Sequence, residues 1–75
     1  MRIYNVCHQL KKGMDRAEAR DLLQLNPEVT ADGSSDVYRY GVFCPEVITT
    51  TFDPDNRLLK VVQHLSDGHE IHFPE

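Results

Sequence analysis

What most constrains this chain is how little separates its apolar runs after residue 36. "DVYRYGVF", "EVITTTF", "RLLKVVQHL" and "HEIHF" are each rich in β-branched and aromatic residues. Only "CP", "DPDN" and "SDG" lie between them, and all three are turn chemistry. A parallel crossover needs about a dozen residues or more. The runs can therefore pair only with antiparallel neighbours, and a four-stranded meander over 37–74 is the expected sheet.

Alternation assigns the faces. Tyr38, Tyr40 and Val42 share one side, with Ile48, Thr50 and Phe52 opposite them. An even-length turn at 53–56 would add Leu59, Val61 and Leu65 to that side. Ile71 and Phe73 would follow across "SDG", which suits a type I turn with a glycine bulge. The other side would carry Arg39, Thr49, Thr51, Lys60, His64, Glu70 and His72. It would also carry Val37, Phe43, Val47, Leu58 and Val62, more apolar surface than a solvated face requires.

The first half predicts a cover for the first of these faces. Ile3, Val6, Cys7, Leu10 and Met14 follow the spacing of one helical stripe, although Met1 to Val6 also suits a strand. Lys11, Lys12 and Gly13 supply a helix end. Asp15 restarts a helix, with Glu18 at the spacing of a capping box and Met14 placed as a hydrophobic staple toward Ala19. Ala19, Leu22 and Leu23 form its stripe, while Arg16, Arg20 and Asp21 point elsewhere. Pro27 ends it. The expected fold is therefore α+β: two short N-terminal helices packed on one face of the meander. The helical half spans 1–30, and "ADGSSD" at 31–36 is a soft connector.

At 75 residues the chain is one domain. A domain of this size hides only about 60% of its unfolded surface, leaving little interior for a deep catalytic pocket. Twelve acidic residues against eight basic ones give a formal charge of −4. That balance disfavours nucleic acid, which needs clustered cations to displace counterions. No apolar run reaches the roughly 18 residues of a membrane span. With Met1 as the start there is no signal-peptide pattern, so the expected location is cytoplasmic, with Cys7 and Cys44 reduced.

Motifs for chemistry are weak. "HLSDGHEIH" would set His64 across from Glu70 and His72 diagonal to His64, but diagonal neighbours lie about 7–8 Å apart, wide for ligands of one metal ion. A solvated His–Glu pair accounts for it better. Cys7 and His8 are adjacent and do not face each other on a helix. "FDPDN" is a tight turn with too few ligands for calcium. No cofactor, metal or catalytic residue is expected, and the chain does not read as an enzyme.

"LKKGMDRAEARDLLQLNP", "VYRYGVF" and "TTTFDPDNRLLKV" together resemble the SmpA/OmlA outer-membrane assembly lipoproteins and the related β-lactamase-inhibitor-like domains. The likeness spans about residues 8 to 62 and rests on the order and spacing of weak pieces. It departs from the family in lacking a glycine in "LQLNP" and a lipobox before Cys7. By this resemblance Gly13, Met14, Leu22, Leu23, Pro27, Tyr38, Tyr40, Phe52 and Leu59 would be scaffold positions. It also implies action by binding other proteins. The expected function is a small soluble protein-binding module, an inhibitor or adaptor, with Arg39, Phe43, Val47, Leu58, Lys60, Val62 and His64 as its contact residues. A homodimeric structural protein associating through the same face is the first alternative, and a small metal-binding or thiol enzyme the second.

Overall fold

Turn chemistry and alternation produce strands where they are expected, and one strand more. A computed structural model describes residues 7–41, 43 and 45–73 of the chain. Helix α1 is described over 7–9 and α2 spans Arg16–Leu23. The strands are β1 (Glu28–Val29), β2 (Ser35–Tyr40), β3 (Glu46–Phe52), β4 (Leu58–His64) and β5 (Glu70–Phe73). They form one antiparallel sheet in chain order, so the meander has five strands rather than four. Val42 and Cys44 lie outside the described residues, as do Ile3 and Val6 of the first helical stripe.

The added strand comes from the supposed connector. Asp32 Oδ1 accepts hydrogen bonds from the Ser34 N–H (3.0 Å), the Thr30 hydroxyl (2.7 Å) and the Ser34 hydroxyl (2.9 Å). This Asx-type turn folds Glu28–Val29 back onto β2. Ser35 and Asp36 already belong to β2. "ADGSSD" is thus a hairpin turn and the start of a strand.

α2 begins at Asp15 as expected, but not by the expected cap. The Asp15 side chain makes no capping hydrogen bond. The Arg16 N–H donates instead to the Asn56 carbonyl (3.0 Å), and Gly13 and Leu58 bond across to Leu58 and Met14. The turn before β4 supplies the acceptor that a capping side chain would otherwise provide. At the far end Gln24 takes the left-handed conformation and returns its N–H to the Arg20 carbonyl.

One buried cluster joins the halves. Cys7, Leu10, Ala19 and Leu23 pack with Tyr38, Ile48, Phe52, Leu58, Val61 and Phe73, flanked by Met14, Leu22, Leu25, Tyr40 and Ile71. Two expectations fail here. Leu58, expected on the open side, is 2% exposed, and Leu59, expected in the core, is 42% exposed. The turn after β3 is odd in length: Asp53 and Arg57 bond, leaving 54–56 as the loop. An odd loop alone would have exchanged the faces of β4. A bulge restores them, because Phe52 pairs with Leu58 but Thr51 pairs with Lys60, leaving Leu59 as the extra residue. Val61 therefore points inward and Val62 outward, as alternation predicts. At "SDG" the expected turn forms, with the Gly68 N–H on the Leu65 carbonyl and Gly68 at φ 96°.

Candidate binding face

The register lays out the open side of the sheet as rows. One row crosses all five strands: Glu28, Val37, Thr49, Val62 and His72 are successive partners. The next row is Arg39, Val47, His64 and Glu70. A third holds Ser35, Thr51 and Lys60, with the two hydroxyls 3.1 Å apart. Val37, Val47, Thr49, Thr51 and Val62 are half-buried, while Arg39, Lys60, Glu70 and His72 stand exposed around them. The result is a β-branched centre with a charged margin.

Charge is paired within each edge. Arg39 lies 3.8 Å from Glu28 at one edge. At the other, Glu70 meets His64 through one oxygen (3.1 Å) and His72 through the other (3.3 Å). These groups are solvated, and such pairs contribute at most about 1 kcal/mol. Among the described residues no group of three His, Cys, Asp or Glu side chains could hold a metal ion.

Of the seven residues expected to make contacts, the sheet brings five together: Arg39, Val47, Lys60, Val62 and His64. Phe43 is not on the face. It sits in the loop between β2 and β3, 95% exposed. Leu58 is in the core for the reason given above. Glu28 completes the long row and was missed, because a two-residue strand carries no periodicity to read. Its only local signals are Pro27 before it and the turn residues after it.

A second constellation was also missed. Asp36, fully buried, accepts from Arg16 Nε (3.2 Å) and Nη2 (2.6 Å) and from Arg20 Nε (2.8 Å) and Nη2 (2.9 Å). The four-residue spacing of Arg16 and Arg20 aims both at one point. Arg16 also donates to the Gly33 carbonyl and to Asn56 Oδ1, and its guanidinium lies 4.7 Å from the Phe52 ring centre. Burial opposes ionisation of Asp36, but the hydrogen bonds from Arg20 and Arg16, with their charges, outweigh it and hold the carboxyl below its usual range. With its carboxylate this fully engaged, the cluster ties α2 to β2 and offers no free base.

Other reactive groups are also committed to the interior. Burial pushes the Cys7 thiol up to about 11, which leaves almost no thiolate at neutral pH. The Tyr40 hydroxyl donates to Glu46 (2.7 Å) and accepts from Gln63 Nε2 (2.6 Å). The Tyr38 hydroxyl and Gln63 Oε1 are buried without a hydrogen bond among the described residues.

Fold and face define a small α+β domain with a five-stranded antiparallel sheet whose open side is partly apolar. Compared with known proteins, the chain matches no family model, no curated protein and no solved structure. Among the described residues no helix is long and apolar enough to cross a membrane.

Proposed function

We propose that the protein is a small protein-binding module, an inhibitor or adaptor, that works through the open face of its sheet. The helices roof the Tyr38–Ile48–Phe52 side, and the opposite side is the working surface. The observation that carries this reading is the centre made by Val37, Thr49 and Val62 in one row with Val47 diagonal to them, half-buried and ringed by Arg39, Lys60 and His64. Apolar area of this kind contributes about 25 cal/mol per Å² on burial, before association costs. The marginal charges would set orientation and partner choice. Phe43, exposed at the end of the β2–β3 hairpin, adds a separate aromatic anchor. The likeness to the SmpA/OmlA and β-lactamase-inhibitor-like scaffolds points to binding as well.

The test is affinity capture from native lysate with wild-type and Val62→Asp baits, with thermal melts run alongside. Captured proteins should be lost from the variant while its melt stays close to wild type. Retention of the same proteins by a folded variant would remove the face from the function.

A further inference from the structure

Two Asp-Gly pairs, Asp32-Gly33 and Asp67-Gly68, occupy turns of the same build. In each the glycine takes a positive φ, 75° and 96°, and open space surrounds the position that a Cβ would fill. Each glycine N–H holds a carbonyl earlier in the turn: Gly33 on Thr30 at 2.9 Å, Gly68 on Leu65 at 3.1 Å. Each aspartate accepts the N–H of the residue after its glycine, from Ser34 at 3.0 Å and from His69 at 2.9 Å. The small ring closed by that bond runs through the glycine nitrogen, so the nitrogen and the carboxyl carbon are held close. A carboxyl so placed can cyclise onto that nitrogen, and glycine has no side chain to obstruct the attack.

The two carboxylates differ in what else holds them. Asp32 Oδ1 also takes the Thr30 and Ser34 hydroxyls, neutral donors that share a proton without giving it up. Asp67 Oδ2 instead lies 2.7 Å from His69 Nδ1, with both side chains mostly exposed. A carboxylate accepts, so Nδ1 is the donor, and as imidazolium it aims an acidic proton at the oxygen that would leave. We infer that Asp67 is a self-modification site: its carboxyl cyclises onto the Gly68 nitrogen with His69 as proton donor, and the ring reopens to isoaspartate. The Gly68 N–H must first leave the Leu65 carbonyl, which makes the step slow. The nitrogen then bonds to Cγ and gives up its proton through solvent, His69 supplies a second proton, and Oδ2 departs as water. Water opens the resulting succinimide. Attack at Cγ restores aspartate, whereas attack at the main-chain carbonyl routes the backbone through Cβ and Cγ, and either carboxylate releases a proton. Composition is unchanged, but the turn is one methylene longer just ahead of Glu70, whose carboxylate meets His64 and His72. Those are the titratable groups next along the two strands that the turn joins.

Prolonged incubation of the purified chain tests this, across the interval in which imidazole titrates, about pH 5 to 8. Electron-transfer mass spectrometry of its peptides distinguishes aspartate from isoaspartate at each position. Isoaspartate should accumulate at Asp67 severalfold faster than at Asp32, a comparison that needs no variant to fold. His69→Gln, checked as folded by its thermal melt, should slow the change at Asp67 severalfold and leave Asp32 as it was. The advantage of wild type over this variant should shrink as pH rises and the imidazolium is lost. Equal rates at the two aspartates, no isoaspartate at Asp67, or a folded His69→Gln variant that ages like wild type overturns the inference.

Discussion

Oδ1 of Asp36 lies 2.6 Å from an Arg16 guanidinium nitrogen, with the carboxylate wholly buried and the arginine side chain only 14% exposed. Removing one member of such a pair strands the other. Asp36→Ala is expected to cost about 3–5 kcal/mol. Arg20 keeps 41% of its side chain in solvent, so Arg20→Ala should cost about 1 kcal/mol. Urea unfolding of the two variants measures the difference. Equal losses would mean that burial does not set the strength of this cluster.

The same carboxylate sets an acid limit. Its folded-state pKa is below the unfolded value near 3.9, so its contribution is complete above about pH 4 and is lost as pH falls through the folded value. Asp32 acts with the same sign. The Ser34 N–H, then the Thr30 and Ser34 hydroxyls, hold it down to about 2. Wild-type stability should fall as pH drops below about 4, and less steeply in Asp36→Asn. Carbon-detected NMR titration would contradict this if the Asp36 carboxyl titrated at an ordinary value.

The bulge makes neighbouring leucines unequal. Leu58 is 2% exposed and Leu59 is 42% exposed. Leu58→Ala should cost about 2–5 kcal/mol, as for other buried leucines. Leu59→Ala should stay within about 0.5 kcal/mol, as at most surface positions. Chemical denaturation in which Leu59→Ala proved the costlier change would restore the even-turn register.

Two tyrosines of one strand should respond unequally to loss of a hydroxyl. Tyr38 buries its hydroxyl without a hydrogen bond among the described residues. The Arg20 guanidinium stands beside that hydroxyl without closing a well-formed hydrogen bond, so Tyr38→Phe should change stability by no more than about 1 kcal/mol in either direction. The Tyr40 hydroxyl bonds Glu46 and Gln63. Tyr40→Phe should cost about 1–3 kcal/mol, because it leaves both partners unmatched. Thermal melts of the pair decide it. A marked loss in Tyr38→Phe would reveal a partner for that hydroxyl.

Local sequence was informative wherever a side chain reports on its own segment. Alternation placed Tyr38 and Ile48 inward and Arg39 and Val47 outward. Val61 and Phe73 face inward and Val62 and His64 outward, as expected, only because the odd turn and the bulge together keep the parity of the expected even turn. Gly68 announced its own turn, and Asp15 and Pro27 bracketed α2. Five of the seven expected contact residues share a face for the same reason. Side-chain chemistry with a period of two survives any error that leaves parity unchanged.

The failures involve either partners distant in the chain or backbone pairing that no single side chain reports. Arg16 and Arg20 look like solvated charges until Asp36, sixteen residues or more away, is folded beneath them. The start of α2 takes its acceptor from Asn56 rather than from a capping side chain. Glu28–Val29 is a strand only because the Asp32 turn lays it against β2. Leu58 and Leu59 trade places through a backbone irregularity that has no residue signature.

The amino-acid order by itself determined which segments extend, where they turn and which side most residues prefer, because those preferences act over a few bonds. Tertiary structure decided the fifth strand, the buried Arg–Asp–Arg tie and the bulge that corrects the register of β4. Each of these depends on a hydrogen-bonding partner that only the folded chain brings within reach.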